Sequence, residues 1–177
     1  MTTKNRLPVF RMLVAAVALF GLASASVEAA PVKVEAVIST TAESKLEFAD
    51  GSKRYLLATQ REGKASGSGP LVGATMLEWG THDVIPGVGA NGNGYLVFTM
   101  AGGEVAYLKY QFRAIPVPGP DGKPQNLVNG LWEVVGSTGK LKGLAGAGSV
   151  HVNVVSPKER QWVLEGDLVQ VPEEPRK

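Results

Sequence analysis

The side chains best placed for chemistry lie in GATMLEWGTHDV, residues 73–84. Successive side chains of an extended strand alternate between faces, so Met76, Glu78, Gly80 and His82 project to one side. Leu77, Trp79, Thr81 and Asp83 project to the other. If the first side faces a barrel lumen, Glu78 and His82 are candidate catalytic residues, an acid/base pair with Cβ atoms about 13 Å apart and a ligand or water between them. If Leu77 and Trp79 face inward instead, both are ordinary surface residues. His82 and Asp83 precede Pro86-Gly87, at a strand end where a barrel mouth carries ligand contacts. Capping or turn hydrogen bonds explain the two equally well.

Other chemistries find little support. His151 is the only other histidine, no H-x-H or H-x-x-x-H spacing occurs and cysteine is absent, so no metal centre is expected. The absence of cysteine also excludes thiol catalysis and disulfides. VIPGVGANGNGY, residues 84–95, is glycine-rich, but a strand follows it rather than a helix, and it lacks the Gly-Lys-Ser/Thr ending of a phosphate loop. Gly67-Ser68-Gly69 has no strand-to-helix setting for a hydrolase nucleophile. No cofactor is expected. Tyr95, Tyr107, Tyr110, Phe112, Trp132 and Trp162 could wall a pocket for a flat apolar ligand, or could simply be core.

The elements that must position these groups are strands. After residue 30, period-two alternation recurs in runs bounded by Gly, Pro, Asn and Asp, with no convincing helical periodicity. Eight strands are predicted, at 32–40, 53–61, 73–84, 94–100, 103–113, 127–135, 147–155 and 160–170. Ala101-Gly102-Gly103 marks a hairpin. Residues 115–126 contain four prolines and read as an exposed excursion outside the ladder, and residues 140–144 as one irregular or helical turn. With no helix to cover a face, such strands must stack as two sheets or close on themselves, and closure removes the edges.

Lys4, Arg6 and Arg11, an apolar run from Met12 to Leu22, and ASASVEAA up to Ala30 together predict a secretory signal peptide over residues 1–30. The apolar run has 11 residues, where a membrane-spanning helix needs about 20, so no span is expected after cleavage. A single domain over 31–177, secreted or periplasmic, is the resulting expectation. Setting aside the four charged residues of the leader leaves 15 basic and 15 acidic side chains. That balance argues against nucleic acid or anionic lipid as a partner.

VVGSTGKLKGLAGAG, residues 134–148, resembles the G-x-T-G-x-(F/L)-x-G signature of allene oxide cyclase-like and dirigent-like barrel proteins. HDVIPGVGANGNGYLVFT, residues 82–99, with the Gly-Gly hairpin after it, is similar to the middle of small secreted bacterial members of undetermined function. Ser137 and Leu141 depart from the commonest Gly and Phe of the motif. The resemblance implies an all-β, closed eight-stranded antiparallel barrel of calycin-like form, often dimeric or trimeric, with a cavity at one mouth. Plant members cyclise an unsaturated epoxide or steer radical coupling, but their acid, arginine and tyrosine residues find no counterparts here.

Three functions are therefore weighed. The first is a non-enzymatic exported barrel that binds a small apolar or amphipathic ligand or a protein partner, with His82, Asp83 and Tyr95 at the mouth and Tyr110 and Trp162 as wall. The second is an isomerase or cyclase of the allene oxide cyclase type, in which Glu78 or His82 polarises the substrate. The third is a structural subunit of an extracytoplasmic assembly, associating as a homo-oligomer through an outer sheet face.

Overall fold

The computed structural model describes residues 29–172, so nearly all of the expected leader, residues 1–30, lies outside the described residues. Eight strands form one antiparallel meander: β1 (Ala30–Glu47), β2 (Tyr55–Gly67), β3 (Thr75–Ile85), β4 (Gly89–Thr99), β5 (Val105–Pro118), β6 (Pro124–Ser137), β7 (Leu144–Val154) and β8 (Glu159–Gln170). Each strand pairs with its sequence neighbours, and β8 returns to β1 from Ala30↔Leu168 to Ser39↔Glu159, which closes the barrel. Every described strand has a partner on both sides, though β6 and β7 meet over five pairs only. Closure is the solution expected for a chain with neither long helix nor disulfide to protect an edge.

Alternation decides what fills the interior. Val34, Ala36 and Ile38 of β1, Met76 of β3, Leu96 and Phe98 of β4, and Leu108 and Tyr110 of β5 are all buried. Trp162, Leu164 and Leu168 of β8 meet them from the other side. The two ends of the cylinder differ. At one end, the β2–β3 connection tucks Leu71 and Ala74 under the barrel, and the 3-10 turn Gly139–Leu141 adds Leu141. This end is the base, and side chains plug it. At the other end, the β1–β2, β3–β4, β5–β6 and β7–β8 hairpins project without covering the opening, and their tips are mostly exposed.

Several strands run further than their patterns suggest, β1 and the β5–β6 pair among them. β1 passes Thr40 with a bulge between Thr40 and Ala42, then continues paired to β2 as far as Glu47↔Tyr55. The β1–β8 ladder ends at Ser39↔Glu159, and residues 41–47 overhang it with both faces exposed, which is why the apolar row of β1 stops at Ile38 while the strand does not. The proline-rich 115–126 segment is likewise not an irregular excursion. It is the overhanging end of the β5–β6 ribbon, paired down to Pro118↔Pro124. The ladder between β4 and β5 ends at Ala90↔Ala114, so beyond Ala114 one edge of β5 is free and proline's missing donor costs no ladder bond there.

The glycine-rich stretch acts through close approach. A Cβ on Gly148 would collide with the Glu165 carbonyl and the Gly166 backbone on β8, so only glycine lets β7 and β8 come together at this level. Phe98 sits at the opposite extreme, with no exposed surface. Phe98→Ala is expected to destabilise the barrel by about 3–5 kcal/mol through the cavity it leaves, measured as a lower urea midpoint at unchanged slope.

Candidate functional site

Midway up the lumen the apolar filling is interrupted by charge. Glu78 of β3 is completely buried, and Arg61 and Thr59 of β2 are each only 3% exposed. The register sets Arg61 opposite Glu78, both on the inner face. Arg61 Nη1 donates to Glu78 Oε2 at 2.6 Å and to Thr59 Oγ1 at 3.0 Å. The Tyr110 hydroxyl, from β5 across the lumen, donates to Glu78 Oε1 at 2.7 Å. His82 Nε2 lies 3.2 Å from the same oxygen.

Glu78 and His82 therefore touch directly, and no ligand or water has to bridge them. The spacing of their Cβ atoms along the strand misleads because both side chains lean along it, over Gly80. A Cβ at Gly80 would strike the Tyr110 hydroxyl and the Glu78 carboxylate, so this glycine creates the room in which the four groups converge. An ionised carboxylate only accepts hydrogen bonds. His82 therefore donates from Nε2 to Glu78.

Burial pushes the Glu78 carboxyl up, but the hydrogen bond from His82 and the charge of Arg61 together outweigh it and hold the group below its ordinary value of 4.5. Glu78 is therefore a carboxylate in the folded barrel. Burial, and then the Glu78 charge, push the Tyr110 phenol far up, so it stays a protonated donor. A buried ion pair is a poor source of net stability, because desolvation of both ions consumes the Coulombic gain. Three polar side chains assembled around one carboxylate in an apolar lumen mark a functional-site candidate on those grounds.

The groups above the network face the open end. His82 is half-buried and meets the Phe112 ring edge-on at 5.3 Å. Phe112 stacks on Tyr110 at 5.8 Å, and Leu57, Val84 and Ala90 continue an apolar rim on the inward positions of β2, β3 and β4. Arg160 of β8 points inward beside Ile38 and is also half-buried. The inward side chains at the open end, apolar but for His82 and Arg160, make the bowl of the mouth.

The five expected binding residues do not assemble as one set. His82 reaches the mouth. Tyr110 and Trp162 face the lumen but are each 1% exposed and pack edge-to-face at 4.8 Å, so they form the core below the bowl rather than its wall. Asp83 and Tyr95 face the other way. Asp83 alternates out from His82 and takes a bidentate pair from Arg54, with Nε 2.7 Å from Oδ1. Tyr95 is 47% exposed on the outer wall beside Trp79, its cross-strand neighbour. Three open hollows of about 480, 620 and 470 Å³ also lie against the outer wall, and Asn93 lines all of them. Arg61, Thr59 and Arg160 escape sequence reasoning. Thr59, Arg61, Gly63 and Ala65 share the inward face of β2, and that row carries no apolar signature.

Breaking the ion pair strands a charge, so Arg61→Met is expected to cost about 3–5 kcal/mol in urea unfolding, whereas Arg61→Met with Glu78→Leu recovers most of it. The pH dependence has a definite sign. A carboxyl held below its unfolded value contributes stability above about pH 4.5 and loses it as pH falls through the folded value. Glu78→Gln should flatten that acid limb of the thermal midpoint.

No family model and no curated protein matches this sequence. Among solved structures, a conserved protein of unknown function from Rhodopseudomonas palustris is 10% identical with a TM-score of 0.52, covering 79% of this chain and 98% of its own. A barrel-like protein from Acinetobacter baumannii is 12% identical with a TM-score of 0.47, over 80% and 96% of the two chains. A pterocarpan synthase dirigent protein is 8% identical with a TM-score of 0.49, over 92% and 100%. The likeness at such identities is one of fold, and the chain has the closed eight-stranded barrel that its sequence resemblance implies.

Proposed function

We propose that this protein is an exported barrel that binds a small, largely apolar molecule in its open mouth, with His82 as the polar contact. One observation carries the reading: the plugged base and uncovered top leave a single apolar rim above the fully buried Glu78 network. Ligand sites are mostly apolar and furnished with a few fixed polar groups, and the lining of the mouth, apolar side chains with His82 among them, supports the reading. Glu78 and Tyr110 serve by fixing the orientation of His82 from below. The ligand occupies the bowl and not the lumen beneath it, because Phe112, Tyr110 and Trp162 fill that space. Export follows from the leader sequence.

A second reading rests on the Glu78–His82 contact. A carboxylate that holds one imidazole nitrogen leaves the other as a proton acceptor, the arrangement a general base requires. An isomerase acting on the bound molecule would use Nδ1 of His82 for proton transfer, with Tyr110 and Arg61 holding the carboxylate in place. Association into a homo-oligomer would use the outer wall, where Trp79, Tyr95 and Leu131 are exposed.

Native mass spectrometry of the mature protein purified from its own host is expected to show a copurifying small molecule. The Ala90→Trp variant, with an indole across the rim, should lose it while unfolding at nearly the same temperature. A bare polypeptide mass in both proteins, together with unshifted His82 resonances in the presence of apolar probes, would overturn the reading.

A further inference from the structure

Arg61 spends its charge on Glu78, but Arg160 has no carboxylate within pairing distance among the described residues. Its Nη1 donates to the Ser156 carbonyl at 2.7 Å and to the Glu159 carbonyl at 2.8 Å, which clamps the guanidinium to the β7–β8 hairpin. The clamp uses one nitrogen of three. The N–H groups on Nε and Nη2 have no hydrogen-bond partner among the described residues, and unlike Arg61 Nε they are not sealed from solvent. They are therefore open to a further acceptor.

Arg160 is disfavoured as a cation by its surroundings. Burial, and then the charge of Arg61, lower its pKa, while Glu78 and the exposed Glu43 act the other way at longer range. Glu78 is already neutralised by Arg61 at 2.6 Å. Lys45 and Glu47, on the β1 overhang, pair with each other at 2.6 Å. The wall of the mouth thus holds a guanidinium with unspent donors, one inward position along β8 from Trp162, which itself meets Phe112 at 6.1 Å. A half-buried cation with unspent donors favours an anion that can take two hydrogen bonds at once.

We propose that the mouth selects a planar, apolar-bodied monoanion, its carboxylate or equivalent oxyanion gripped by Arg160 and its flat body against Phe112 and His82. This rests on the mouth-binding reading above and adds the ligand's charge and shape to it. Arg160 is then a specificity residue, while the Glu78 network fixes the floor.

The test compares 2-naphthoate with 2-naphthamide, which share a ring system and differ in charge, by NMR titration of the mature protein. Naphthoate should bind at least about tenfold tighter, the factor that one charge-assisted contact supplies. Arg160→Gln should remove that preference, bringing naphthoate down to the affinity of naphthamide. Arg160→Lys, which keeps the charge without the planar edge, should retain part of it, and raising salt should weaken only naphthoate. Shifts should map to the resonances of His82, Phe112 and Ala90. Equal affinity for both probes at the mouth would overturn the anion preference and leave mouth binding standing. Shifts confined to the outer wall, or no binding of either probe, would overturn both. If Arg160→Gln does not fold, the salt dependence and the charge pair on the native protein decide the matter alone.

Discussion

Closure of the sheet is the constraint on which everything else rests. With no cysteine and no helix longer than a 3-10 turn among the described residues, the only cover available to the inner row of each strand is the opposite wall. That requires β8 to find β1, the most distant pairing in the chain, before the interior is dry. The bulge in β1 and the facing glycines of β7 and β8 let the wall curve enough for this. Once it is shut, the lumen is narrow, and an eight-stranded cylinder leaves room for little besides its own side chains.

That narrowness gives Glu78 its character. In a wider barrel, water would hydrate the carboxylate. Here its surroundings must come from the protein, and they come from three different strands: Arg61 on β2, Tyr110 on β5 and His82 on β3 itself. Each donor neutralises or satisfies one part of the carboxylate, and together they reverse the effect of burial on its titration. An apolar residue of similar size would fill the same space with less desolvation cost. Net stability alone therefore does not account for the arrangement, and the member of the network most open to solvent is the histidine.

The sequence displays the strand architecture well because period-two alternation survives wherever one face is buried. Ala106, Leu108 and Tyr110, or Trp162 and Leu164, announce their inward face by composition alone. The pattern fails where burial ceases to be the organising force. The proline-bearing overhang of β5–β6 is a ribbon with neither face in the core, so nothing in its composition says strand. β2 hides its inward face because that face carries Thr59 and Arg61, and a polar inward row looks like an outward one. For β3 the alternation was visible but its sense was not: Glu78 and Trp79 point in the directions opposite to those their polarity suggests. Only the partners that neutralise Glu78 decide the matter, and they lie 17 and 32 residues away along the chain.

The inversion on β3 links the inside of the molecule to its outside. Placing Glu78 and His82 in the lumen forces Trp79 onto the outer wall, where it is 54% exposed and sits beside Tyr95. Exposed aromatic pairs are costly to leave in water and are uncommon on isolated domains. The barrel accepts them here because a one-residue slip of β3, which would bury the tryptophan, would also expel the carboxylate from Arg61 and Tyr110. Register on this strand is thus held by the polar network together with the burial of Met76. The same hydrogen bonds that orient His82 also keep β3 from sliding, so the candidate site and the wall that carries it are specified by one set of contacts.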